Sequence, residues 1–288
     1  MALLMFTLLR NYLHNRSRLN FLIVGAEKAG TTALFAYLRR LPGVYMPPNK
    51  ELNFFDRDHR YGNGSDFCCL HRWFLFAPND AILGEATPTY LMNPRCFRRI
   101  FDYNPAIKVI AILRSPVRRA HSAWNYRRVR FRDQRDFMTA VRVEVESGAD
   151  VRVARENKYR YIGAGYYSAQ IREARRVLPP QNLMLIKYED FKRNQITHVR
   201  AAASFIGVSA HFDIPRLREV NVWRYDRPLA RGDFESVLNL YSDDIREVEA
   251  LTGWDCSDWR SFDAKSSSLE PVLPPTEGGL KVLAAPFR

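Results

Sequence analysis

Residues 21–32 read FLIVGAEKAGTT: four apolar residues, a turn carrying Gly25 and Gly30, and then two threonines. A short unbroken apolar run suits a strand buried on both faces, as in parallel sheets. Glycines let the following backbone bend around an anion. Successive N–H groups and the N-terminus of the next helix then point at phosphate oxygens, with the hydroxyls of Thr31 and Thr32 as further donors. In the nucleotide-triphosphatase pattern GxxxxGK[ST] the lysine follows the second glycine and reaches the β- and γ-phosphates, and the next hydroxyl binds magnesium. Here the glycine spacing is kept, Thr31 takes the lysine's place, and the lysine stands at position 28. That arrangement predicts a loop for a smaller anionic group without a metal.

Further apolar runs at residues 81–83, 109–113 and 183–186 read as buried strands, each with a helical pattern downstream. Leu34, Leu38 and Leu41 keep helical spacing until Pro42, and Pro116 opens another helix at a favoured first-turn position. Later helices are expected over 166–177, 195–206 and 234–251. Alternating strands and helices predict an α/β fold: a three-layer, P-loop-like parallel sheet flanked by helices. The expected division is a helical extension at 1–19, one domain at 20–262 and a flexible tail at 263–288. No membrane span is expected, because the N-terminal apolar run ends at Arg10, far short of the roughly 20 residues required.

The formal net charge of +13 predicts attraction to anions but does not choose among nucleotide, sulfated sugar, nucleic acid or acidic lipid. The four cysteines form no CxxC pair, so neither a zinc site nor a disulfide framework is expected, and a cytoplasmic location is favoured.

In order along the chain, GAEKAGTT, then PNKELNFFD at 48–56, ILRSPVRRAHSAWNY at 112–126, LIKYEDF at 185–191 and LTGWDCSDW at 251–259 resemble the sulfotransferase family. The likeness is to its carbohydrate (heparan sulfate-like) branch and that branch's bacterial relatives, and it covers about residues 20–260. The resemblance implies a donor, 3′-phosphoadenosine-5′-phosphosulfate, and an acceptor hydroxyl or amine, carbohydrate or glycolipid, with direct in-line displacement at sulfur and no metal. It implies that Lys28, Ala29, Gly30, Thr31 and Thr32 hold the 5′-phosphate, with Lys28 also stabilising the leaving group. It implies that Arg114 and Ser122 hold the 3′-phosphate and that Glu51 is the general base. Lys50 and Arg57 lie close enough in sequence to tie Glu51 up, and His59 and His121 are fallback bases. GEATPTY at 84–90 departs from the branch, since Ala86 stands where a lysine is common. The stretch 221–233 falls where the family covers its donor, without a residue-by-residue match.

Arg127, Arg128, Arg130, Arg132 and Arg135 read as a solvated basic helix end, or else as a patch for an anionic acceptor. Two other functions compete. A phosphate-loop kinase or hydrolase would want a lysine after Gly30 and an acidic strand end for magnesium, where this chain has Arg114. A basic nucleic-acid-binding module would leave the phosphate loop unexplained, and no nucleic-acid partner is expected.

Overall fold

The structure, a computed structural model, describes residues 18–62, 66–131, 133–147, 160–209, 217 and 227–263. Its centre is a five-stranded parallel sheet: β1 (Phe21–Gly25), β2 (Val44–Tyr45), β3 (Ile82–Ala86), β4 (Lys108–Leu113) and β5 (Leu183–Lys187), in the order β2-β3-β1-β4-β5. All five residues of β1 are buried, which is why that segment has no polar alternation. The longer helices are α1 (Thr31–Leu38), α2 (Pro94–Tyr103), α3 (Pro116–Phe131), α4 (Phe137–Glu146), α5 (Tyr167–Val177), α6 (Gln195–Phe205) and α7 (Arg231–Thr252).

The chain leaves β1 through α1 toward β2, and leaves β3 through α2 toward β4 in the opposite direction across the sheet. Right-handed crossovers therefore put α1 and α2 on opposite faces. The packing agrees: α6 lies against α1, whereas α5 contacts α2 and α7, and α7 contacts α3. This is the expected three-layer α/β arrangement.

Two elements differ from expectation. β3 starts at Ile82 and continues through Gly84, Glu85 and Ala86, past the apolar run at 81–83. Glycine is required there, since a Cβ at Gly84 would come within 2.1 Å of the Phe21 ring. α1 ends at Leu38, short of Pro42. α2 has no long apolar run, but Asn93 caps it by accepting from the Arg95 N–H, Pro94 opens it, and Cys96, Phe97, Ile100 and Tyr103 form its buried face. The extension at 1–17, the tail at 264–288 and residues 221–226 of the expected donor-covering stretch lie outside the described residues. No helix among the described residues is long and apolar enough to cross a membrane.

Candidate active site

In an open parallel sheet, ligands bind beyond the carboxyl ends of the strands, where neighbouring connections diverge. β1 is that point here, flanked by β3 and β4. Register aligns Ile23 with Ala86 on one side and with Ile110 on the other, so the loops after β1, β3 and β4 emerge together. Glu51 lies on the connection after β2 and joins the same edge through its N–H, which donates to the Ala86 carbonyl at 2.9 Å.

The loop after β1 turns on its glycines. Gly30 precedes α1 with φ 90°, a left-handed conformation, and a Cβ there would meet the Tyr188 ring at 2.9 Å. Tyr188, directly after β5, fills that space and also lies under the Arg114 guanidinium, 5.0 Å from ring centroid to Cζ. No side chain caps the start of α1, so its first N–H groups face the loop. Ala29 and Thr31 are buried, and Thr32 is half-buried.

Lys28 has φ 67° and Glu51 has φ 66°. Left-handed backbone is uncommon for either residue type and persists where surrounding contacts hold it. For Lys28 one such contact is Arg114, whose NH1 donates to the Lys28 carbonyl at 3.1 Å. The Lys28 ammonium lies 4.3 Å from the centroid of the Tyr126 ring on α3. Burial pushes its pKa down to about 8; Glu27 opposes this, while Arg114, Arg127 and Lys50 add to it. Glu27 is itself paired with Arg127 at 3.1 Å.

Glu51 is held by two loops locked together. Asn53, also left-handed at φ 51°, donates its N–H to the Thr87 hydroxyl at 3.3 Å and its amide to Asp56 at 3.1 Å. Thr89 donates to Asp56 at 2.7 Å, the Phe54 N–H donates to the Tyr90 hydroxyl at 2.9 Å, and Arg60 donates to the Leu52 carbonyl. The Glu51 side chain remains 56% exposed, which leaves its carboxylate open to solvent. Lys50 does approach it, at 3.5 Å.

Beneath this network Glu85 is fully buried and accepts from the Thr87 hydroxyl at 2.9 Å. Burial pushes its pKa up to about 7, with Asp56 adding and Tyr90, Thr87 and Lys50 opposing. A buried acid with a raised pKa costs stability once the unfolded chain has ionised, so stability should fall from about pH 4.5 to about pH 7 and then level off. Glu85→Gln should flatten that slope and raise stability above pH 7 by roughly 2–4 kcal/mol, measured as denaturation midpoints at pH 4.5 and 8. An unchanged slope would contradict the assignment.

Arg114 follows β4 directly, and Ser122 is on the buried side of α3. Glu189 steadies this connection: one oxygen accepts from the Ser115 N–H at 3.0 Å and the other from the Trp259 indole at 2.8 Å. The YED and SDW segments thus buttress the Arg114 turn. The fallback bases are placed differently. His59 is exposed on the short helix Asp58–Tyr61, and His121 is buried against Trp124 and Phe137 with its pKa pushed down to about 4 by burial and the Arg114 charge.

The basic run is not a uniformly solvated helix end. Arg127 pairs with Glu27, and Arg135 pairs with Asp133, which also accepts from the Tyr161 hydroxyl. Arg130 is exposed, and Arg132 lies outside the described residues. Tyr188, Glu189 and Glu27 are the site residues that sequence patterns left unassigned. Their signal lies in contacts between segments up to 160 residues apart, such as Tyr188 with Gly30 (158 residues apart). Among the described residues, no group of three or more His, Cys, Asp or Glu is placed to hold a metal ion.

A family model described as "Sulfotransferase domain" matches residues 19–226. A solved sulfotransferase from Alicyclobacillus acidocaldarius superposes with a TM-score of 0.72 at 30% identity, covering 85% of this chain and 100% of that one. Curated relatives include the membrane-associated sulfotransferase kil1 of Dictyostelium discoideum, 34% identical over 37% of this chain and 22% of its own length. Heparan sulfate glucosamine 3-O-sulfotransferase 5 of Homo sapiens is 24% identical over 70% of this chain and 56% of its own length. A third, bifunctional heparan sulfate N-deacetylase/N-sulfotransferase 2 of Bos taurus, is 26% identical over 68% of this chain and 23% of its own length. The chain thus spans between about a fifth and just over half of these curated relatives. The family match covers most of the chain and falls on the very segments that build the site, so this chain belongs to the sulfotransferase family.

Proposed function

We propose that the protein transfers a sulfuryl group from 3′-phosphoadenosine-5′-phosphosulfate to a hydroxyl or amine of a carbohydrate or glycolipid. The observation that carries this reading is the convergence of Lys28, Arg114 and Glu51 at the carboxyl edge of the sheet, on loops that hydrogen-bond to one another or to the same strands. The loop at 25–32 would cradle the 5′-phosphate through backbone N–H groups and the Thr31 and Thr32 hydroxyls, and Arg114 with Ser122 would take the 3′-phosphate. Two separated phosphate sites would distinguish the donor from ATP.

In the transfer step the acceptor's proton passes to the Glu51 carboxylate and its lone pair forms the new bond to sulfur. The bond from sulfur to the 5′-phosphate oxygen breaks, and its electron pair leaves with the bisphosphate product. Lys28 faces the charge that builds on that oxygen. Positioning and charge stabilisation carry the rate, with no covalent enzyme intermediate. Heparan sulfate enzymes among the relatives support a carbohydrate acceptor.

The test is incubation with donor labelled with radioactive sulfur against a panel of glycans, glycolipids and simple phenols. Label on glycans or glycolipids, lost in Glu51→Gln, is expected. Transfer to phenols alone would overturn the acceptor class.

A further inference from the structure

We propose that Lys50 is a second lysine of the transfer site, whose ammonium binds the sulfuryl group of the donor as it crosses from the phosphate loop to the acceptor. The inference rests on the reading of residues 25–32 as the donor's 5′-phosphate site. The Lys50 ammonium donates to the Thr31 hydroxyl at 3.2 Å and lies 3.5 Å from a Glu51 carboxylate oxygen. Thr31 belongs to the anion-binding loop, and Glu51 is the group that deprotonates the acceptor. A group passing from one to the other travels through the space between them, and the Lys50 ammonium stands in that space.

Burial and charge point the same way. The Lys50 side chain is only 15% exposed, and burial is the main influence holding its pKa below the usual lysine value. An ammonium carries three N–H donors. Among the described residues, Thr31 and Glu51 are its hydrogen-bond and ion-pair partners, and Glu51 is more than half in solvent. Of the two other carboxyl groups close enough to influence it, Glu85 is held toward its neutral form and Glu27 is paired with Arg127. A half-satisfied ammonium in a sheltered position is suited to an incoming anion, and the sulfuryl oxygens supply one. Lys28 has a different placement: its backbone is fixed by Arg114 and its ammonium lies against Tyr126. The two lysines therefore divide the work, Lys28 on the bridging oxygen and Lys50 on the group that moves.

The product bisphosphate lacks the sulfuryl group, so it reports on everything except this contact. Wild type, Lys50→Met and Lys50→Arg are titrated calorimetrically with the bisphosphate and, without acceptor, with the phosphosulfate. For Lys50→Met the expected result is bisphosphate affinity within about threefold of wild type and phosphosulfate affinity weakened at least about tenfold. Lys50→Arg should recover part of that loss. Equal weakening for both ligands would overturn the proposal and make Lys50 a prop for Thr31, and no weakening for either would overturn it outright. Failure of the wild type to bind the bisphosphate would overturn the donor reading itself, a result seen before any variant is compared.

Discussion

Lys28→Met should cut turnover by about 10²–10³-fold, the usual effect of removing one preorganised group from a developing charge, while making the folded protein more stable. Both effects come from one placement. The ammonium is sheltered among Arg114, Arg127 and Lys50, and its pKa is pushed down to about 8. Below about pH 8 the folded state holds a charge it disfavours, whereas the unfolded chain holds it freely up to the ordinary lysine value. Methionine removes that cost. The gain should be about 1–3 kcal/mol below pH 8, discounted because the side chain is not sealed from solvent, and should shrink as pH rises from about 8 toward the ordinary lysine value of 10.5. Methionine has the same difficulty with the left-handed backbone as lysine, so that contribution cancels. Thermal unfolding of both forms at pH 7 and pH 10 checks the sign. A variant that is inactive and also less stable would mean that the Tyr126 and Glu27 contacts outweigh desolvation.

Glu51→Gln should lose turnover by about 10²–10⁴-fold and leave bisphosphate affinity unchanged. Glu51, the proposed base, has its carboxylate more than half in solvent. Glutamine keeps the backbone bond to Ala86 and the shape of the loop, so the two-loop network should survive. Rates at saturating donor and acceptor, set beside the calorimetric affinity, separate chemistry from binding. Retained turnover would move the base elsewhere. His121 is a poor successor, since it is buried against Trp124 and Phe137.

The stretch FLIVGAEKAGTT carried the fold because buried strand, glycine turn and helix start each leave a local mark: apolar continuity, missing side chains and hydroxyls in the first turn. Val109, Ile110, Ala111 and Ile112 did the same for β4. The continuation of β3 past residue 83 left no such mark, because a carboxyl group like that of Glu85 is tolerated in a buried strand by staying protonated, a property of its surroundings. Arg127 misled for a related reason: its partner Glu27 lies 100 residues away and meets it only once α3 has packed, whereas Asp133 is a neighbour of Arg135 in the sequence. The second role of Arg114, holding the Lys28 carbonyl, is likewise invisible in sequence, since 86 residues separate the two. It predicts that losing Arg114 disturbs both phosphate sites.

The central claim is that this site reads two separated phosphates. Calorimetric titration with 3′-phosphoadenosine-5′-phosphate, beside ADP with and without magnesium, on wild type and Arg114→Ala, tests it most directly. The account predicts that the bisphosphate binds at least about 100-fold more tightly than ADP, a difference of about 2.7 kcal/mol, that magnesium changes nothing, and that Arg114→Ala removes most of the preference. Equal or tighter binding of ADP, strengthened by magnesium, would contradict it.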